Sequence, residues 1–276
     1  MKKAITIWAL SEGVSGNIPI QYASEFVKTL GFDALEVSYC KNGEISQNTS
    51  ISMYIELNKK IKEQSLVISS ISTLLLNDMS IISDIKEERN EAMNICKNMI
   101  EAANLLDVPT VSISPGKVQV NDNYINYYNK SLEQVGVLLD YAKKNNVILC
   151  IENVWQGLLL SPMEMNNYVN YLDNCNLGVC IDIGNALLNG FPQHWLKTMG
   201  NKVKKIHITD LKIRRNLIYE FKNPGQGDVK WREIMQIIKE IGFDQYLTVE
   251  AYTKTNVSDE ERIRTLSECL DTIIKA

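Results

Sequence analysis

The chain has 276 residues, 45% of them hydrophobic and 22% charged, with a formal net charge of -4 at pH 7. That composition belongs to a globular protein with a sizeable core and excludes collagen-like and disordered classes; the acidic balance also argues against a nucleic-acid partner, which calls for a basic face or stripe. No run approaches the roughly 18 uninterrupted apolar residues of a membrane span, so no membrane association is expected and the expected compartment is the cytoplasm.

The N-terminal run from Met1 to Leu10 reads as a first strand over Ala4 to Ala9 rather than a signal peptide, because Glu12 follows it and no A-x-A cleavage site is present. Pro19 then opens a helix that Gly31 closes. A second strand over Ala34 to Ser38 leads to a helix over Ile51 to Gln64, and a third over Val67 to Ile71 leads to a helix over Met93 to Leu105. Strand Thr110 to Ser114 precedes a helix from Tyr127 to Asn145; strand Ile148 to Glu152 precedes one from Pro162 to Leu172. Three more strands follow, at Gly178 to Ile183, Lys205 to Thr209 and Leu247 to Ala251, with helices over Trp231 to Ile241 and Glu260 to Ile274. His194 beside Trp195 starts what reads as a further, structural helix.

Strands alternating with helices imply a parallel sheet. An open doubly wound sheet usually offers a glycine-rich loop after its first strand, but Leu10-Ser11-Glu12-Gly13 contains no G-x-G-x-x-G. The expected fold is therefore α/β, a single (β/α)8 TIM barrel forming one domain over residues 1–276. Lys212 to Val229, between the seventh and eighth strands, is a long irregular stretch and reads as a functional or mobile loop. Six cysteines, scattered without C-x-x-C spacing, read as reduced structural thiols.

Such barrels build their sites at the C-terminal ends of the strands. Four late strands end in Glu152, Asp182, His207 and Glu250. Any one of them alone would more often be a solvated or hydrogen-bonded structural group. Together, converging from strands about 4.8 Å apart, they crowd negative charge that needs a cation. Three carboxylates and one imidazole form a mostly hard donor set, suited to Mn²⁺ or Mg²⁺ and able to take Co²⁺ or Zn²⁺.

In ALEVS on the second strand, IENV on the fifth, DIGNA on the sixth, HITD on the seventh, the turn GQGDVKW and TVEAY on the eighth, the chain resembles the xylose isomerase-like family of sugar phosphate isomerases and epimerases. The resemblance covers nearly the whole chain. It implies that Glu152, Asp182, His207 and Glu250 hold one divalent ion, and that Glu152 and Glu250, on opposite faces of the substrate, move a proton through an enediolate. A small sugar or sugar phosphate is the implied partner. Asn185 stands where the family usually has a substrate-contacting histidine, and Ile213, followed by Arg214 and Arg215, stands where its ketose 3-epimerases have a substrate-binding arginine. The multi-zinc endonuclease branch needs more histidines than His194 and His207.

Further substrate-side candidates are Trp8 and Trp155 as apolar walls, Glu36 at the end of the second strand, and Arg214 with Arg215 as a phosphate clamp in the seventh loop. Core, solvated or supporting roles stand beside each of these. Two other functions stay open: a metal-dependent dehydratase of a cyclitol-like ketone, and a non-catalytic sugar-binding barrel. Self-association into a homo-oligomer is also left open.

Overall fold

The computed structural model describes residues 1–214, 219–251 and 256–276. Its strands are β1 (Lys2–Thr6), β2 (Ala34–Ser38), β3 (Ile68–Ser72), β4 (Thr110–Ile113), β5 (Ile148–Glu152), β6 (Leu177–Asp182), β7 (Val203–Ile208), β8 (Asp210–Ile213), β9 (Tyr219–Lys222) and β10 (Tyr246–Val249). Eight of them close into a parallel barrel in the order β1-β10-β7-β6-β5-β4-β3-β2. Strands covered on both faces need apolar residues throughout, and Ile5, Leu35, Val37, Ile71, Val111, Leu149, Ile151, Val179, Ile181, Ile206 and Leu247 are all fully buried.

Around the barrel run α1 (Ile20–Thr29), α2 (Ile51–Glu63), α3 (Lys86–Leu105), α4 (Tyr124–Lys144), α5 (Pro162–Leu172), α6 (Ile183–Leu188), α7 (Pro192–Met199), α8 (Trp231–Glu240) and α9 (Asp259–Lys275). Their starts are chemically marked. The hydroxyls of Ser50, Ser161 and Ser258 accept from the third backbone N–H of α2, α5 and α9, and Pro162 begins α5. Each helix turns an apolar stripe inward, as α8 does with Ile234, Met235, Ile237 and Ile238. None of the described helices is long and apolar enough to cross a membrane.

Three expectations change. β1 ends at Thr6, its last residue paired to β2, and Ile7–Ala9 coil into a 3-10 turn whose apolar side chains are buried, so an apolar run outlasted the strand. Between β6 and β7 the chain forms α6 and α7, of which only the second was marked, by His194 and Trp195; α6 is six residues long and too short to display a period. The stretch read as a loop from Lys212 to Val229 contains the antiparallel pair β8–β9, with Asp210 opposite Lys222 and Ile213 opposite Tyr219. No Asn-Gly or Asp-Gly pair lies between its arms to signal a hairpin.

Asp210, fully buried, organises the turn that leads from this hairpin into α8. Its carboxylate accepts from the backbone N–H of Gly225 (2.8 Å), Gly227 (3.0 Å) and Val229 (3.2 Å) and from the Trp231 indole (2.9 Å). A Cβ at Gly227 would lie 2.0 Å from Asp210 Oδ1, so only glycine lets the backbone come this close. Asp210→Asn turns acceptor positions into donors facing donors, and is expected to cost about 2–4 kcal/mol in denaturant unfolding with faster proteolysis after residue 222. A loss below about 0.5 kcal/mol, the scatter of ordinary surface changes, would remove Asp210 from this role.

Candidate metal centre

Alternation along each strand sends every second side chain into the lumen, and here the lumen is charged. Lys205, two residues before His207 on β7, crosses it to reach Glu36 Oε2 on β2 (2.7 Å), Ser70 Oγ on β3 (2.7 Å) and Ser112 Oγ on β4 (2.9 Å). The other side of the Glu36 carboxylate faces His207 Nε2, at 3.2 and 3.3 Å. Burial opposes the Glu36 charge, but the positive groups of Lys205 and His207 overcome it and hold the carboxyl well below the usual range.

At its other nitrogen His207 meets the strand-end glutamates. Nδ1 lies 3.2 Å from Glu152 Oε1 and 3.0 Å from Glu250 Oε2. With Glu36 engaging Nε2, the ring presents Nδ1 to the mouth, the arrangement by which a second carboxylate fixes the tautomer of a ligating histidine.

Asp182 ends β6 opposite His207 in the strand register and caps α6. Its Oδ1 accepts from Asn185 N (2.6 Å) and Thr209 Oγ1 (2.7 Å), which gives the carboxylate one orientation. Asn153 splints the strand end from β5: its side chain accepts from Asp182 N (2.7 Å) and donates to Asp182 O (3.0 Å). Donor atoms of Glu152, Asp182, His207 and Glu250 all lie within 4.8 Å of one another.

The four therefore meet as the strand ends suggested, and a divalent ion fits them. Burial, then the charges of Glu250 and Glu152, push the Asp182 carboxyl up to about 8. His207 is likewise raised well above its ordinary value: burial opposes its charge, and the negative groups around it, Glu36 and Glu152 among them, override that opposition. A cluster that must gather protons to tolerate its own charge is one that a cation would relieve. Both folded-state values exceed the unfolded ones, so near pH 7 the metal-free protein holds protons the unfolded chain has lost, and its stability falls as pH rises toward 8. Addition of Mn²⁺ at pH 7 is expected to release about two protons, read from the buffer dependence of the calorimetric heat, and about one in Asp182→Asn. Proton-neutral binding would contradict this account of the site.

The substrate-side candidates are placed less uniformly. Asn185, almost buried, sits beside Asp182 in the first turn of α6. Trp8 is buried in the turn after β1, whereas Trp155, after β5, is 58% exposed. Glu36 does not reach the mouth: it is fully buried and committed to Lys205 and His207, because a carboxylate in the lumen is stable only when paired. Arg214, at the end of β8, is exposed and pairs with Glu220 across the hairpin at 3.1 Å. Arg215 lies outside the described residues. Lys205, Asn153 and Thr209 escaped the sequence reading; parity with His207 on β7 was the one signal that could have drawn attention to Lys205.

A family model described as xylose isomerase-like TIM barrel matches residues 24–273. An uncharacterized protein of Methanocaldococcus jannaschii is 23% identical over 261 residues, 90% of this chain and 86% of its own. D-psicose 3-epimerase of Enterocloster bolteae is 21% identical over 235 residues, 82% of this chain and 74% of its own. The crystal structure of the IOLI protein with a bound zinc atom shares the fold with a TM-score of 0.80 at 20% identity, covering 100% of this chain and 98% of that one.

Proposed function

The chain belongs to the xylose isomerase-like TIM barrel family, and from that premise we propose that it is a divalent-metal-dependent isomerase or epimerase of a small sugar or sugar phosphate. One observation carries the reading: two partly open glutamates flank a buried Asp–His pair, with all four donor groups inside 4.8 Å. The similarity to a D-psicose 3-epimerase supports it.

Glu152, Asp182, His207 and Glu250 would hold the ion, Mn²⁺ or Mg²⁺ by the hardness of the donors. When bound, a divalent ion supplies the polarisation of a substrate carbonyl and its neighbouring hydroxyl. Everything else is the work of the chain. Glu152 ends β5 and Glu250 directly follows β10, on either side of β6 and β7, and their side chains are 15% and 14% exposed against 1% for His207. Within the cluster, those two are the more open to a substrate at the mouth.

One glutamate, ionised, takes the proton from the carbon beside the carbonyl, and the C–H electron pair moves into the carbonyl to give an enediolate. The other, entering the cycle protonated, returns a proton to the opposite face, which inverts the carbon. Return by the first glutamate to the neighbouring carbon, with the hydroxyl proton passing from one enediolate oxygen to the other, gives aldose–ketose isomerisation instead. Glu36 holds His207, and Thr209 and Asn153 hold Asp182, so the constellation is fixed before substrate arrives. Asn185 can hydrogen-bond a substrate oxygen but carries no proton at neutral pH. Trp155, three residues after Glu152, and Trp8, in the turn after β1, would wall the substrate with apolar surface.

Deuterium uptake from solvent, followed by NMR across ketoses and ketose phosphates with Mn²⁺-loaded protein, tests the reading. Exchange at a carbon next to the carbonyl of at least one sugar is expected. Metal-loaded protein that exchanges no ketose would overturn it, and loss of water from a cyclitol ketone would assign dehydration instead.

A further inference from the structure

Cys180 lies on the lumen face of β6, two residues and about 6.6 Å before Asp182 along the strand. Its partner in the β5 register is Glu152. The thiol is fully buried and outside any disulfide. One donor atom each from Glu152, Cys180 and His207 lie within 4.8 Å of one another. This triad is not the four-residue set of the proposed reaction, yet shares two members with it.

We propose that Cys180 gives the centre a second donor set, Glu152, Cys180 and His207, which takes a thiophilic divalent ion such as Zn²⁺ or Cd²⁺ deeper in the barrel than the oxygen-rich set. The proposal rests on the reading of the four-residue cluster as a metal site. Zinc–sulfur and zinc–nitrogen bonds of about 2.3 and 2.1 Å put neighbouring tetrahedral donors about 3.6 Å apart, within the reach of these side chains. Thiolate favours zinc over manganese or magnesium, whereas carboxylate favours the reverse, so two overlapping sets of different softness sort ions by position. Binding breaks the S–H bond and forms a sulfur–metal bond, the proton leaving to solvent, with no change of oxidation state. Because Glu152 and His207 belong to both sets, a thiophilic ion in the lower set excludes a hard ion from the upper one. Zinc then competes with manganese for this centre.

The test uses the full chain freed of metal by chelation, titrated with Cd²⁺, Zn²⁺ and Mn²⁺ as wild type, Cys180→Ser and Cys180→Ala. Wild-type protein with Cd²⁺ is expected to show the ultraviolet thiolate-to-cadmium charge-transfer band, and both variants to lack it. Zn²⁺ affinity should fall roughly tenfold or more in the variants, while Mn²⁺ affinity shifts by less than about twofold, within the scatter of non-interacting substitutions. Cadmium bound without the band, or a band that persists in both variants, overturns the assignment of Cys180 while leaving the four-residue site standing. Failure of wild-type protein to bind Mn²⁺ and Cd²⁺ alike overturns the metal reading itself, and this inference with it.

Discussion

Glu152→Gln and Glu250→Gln are each expected to lower turnover by about 10²–10⁴-fold while retaining measurable Mn²⁺ affinity. Glutamine keeps the shape and one oxygen donor but cannot accept the substrate proton. The two variants should then part company in proton exchange. If each glutamate serves one face, a variant lacking one base still exchanges the epimer whose proton points at the other. Four measurements settle the point: both epimers with both variants, followed by NMR in deuterated solvent. A variant that turns over near the wild-type rate would remove that glutamate from the mechanism, and the two-base reading with it.

Candidates for such roles stand out in the sequence because chemistry at a strand end interrupts a pattern. β2 and β5 carry the bounds expected of them, and the four strand-end donors were visible as polar residues closing apolar runs. The groups that support those donors were hidden by similar logic. Asn153 follows Glu152 and reads as the start of a loop, yet it pins Asp182 through two hydrogen bonds from the neighbouring strand. Glu36 was visible, but its depth was not: it sits in the middle of β2, two residues before the strand ends at Ser38, and only the position of Lys205 across the lumen shows where its charge is answered. The β8–β9 hairpin has arms of only four residues, Asp-Leu-Lys-Ile and Tyr-Glu-Phe-Lys, and its second arm is largely exposed, so the alternation in it is too short to stand out as a strand pair. Lys205 itself sits in Asn201-Lys202-Val203-Lys204-Lys205, a run that looks like a solvated surface strand. Lysine is rarely buried without a partner, and the partner lies 169 residues away in the chain, on β2.

Lys205→Met is expected to cost about 3–5 kcal/mol of stability in denaturant unfolding, the cost of removing one member of a buried ion pair. Methionine keeps the length and apolar stem of the side chain, so the change isolates the charge. Both groups are essentially inaccessible to water, at 4% and 0% exposure, and solvent does little to screen the loss. Of its two positive partners Glu36 would keep His207 Nε2, while Ser70 and Ser112 would lose the cation they share. Replacing both residues, Lys205→Met with Glu36→Gln, should therefore destabilise by less than the sum of the single changes, with a coupling of about 0.5–3 kcal/mol. Metal affinity should follow Glu36 rather than the fold: a roughly 10–100-fold loss of Mn²⁺ binding is expected in Glu36→Gln, because the imidazole loses the carboxylate that sets its orientation. Additive losses in the double variant would mean that the lysine and the glutamate are stabilised by separate neighbours, and that the line from Lys205 through Glu36 to His207 carries contact but no shared energy.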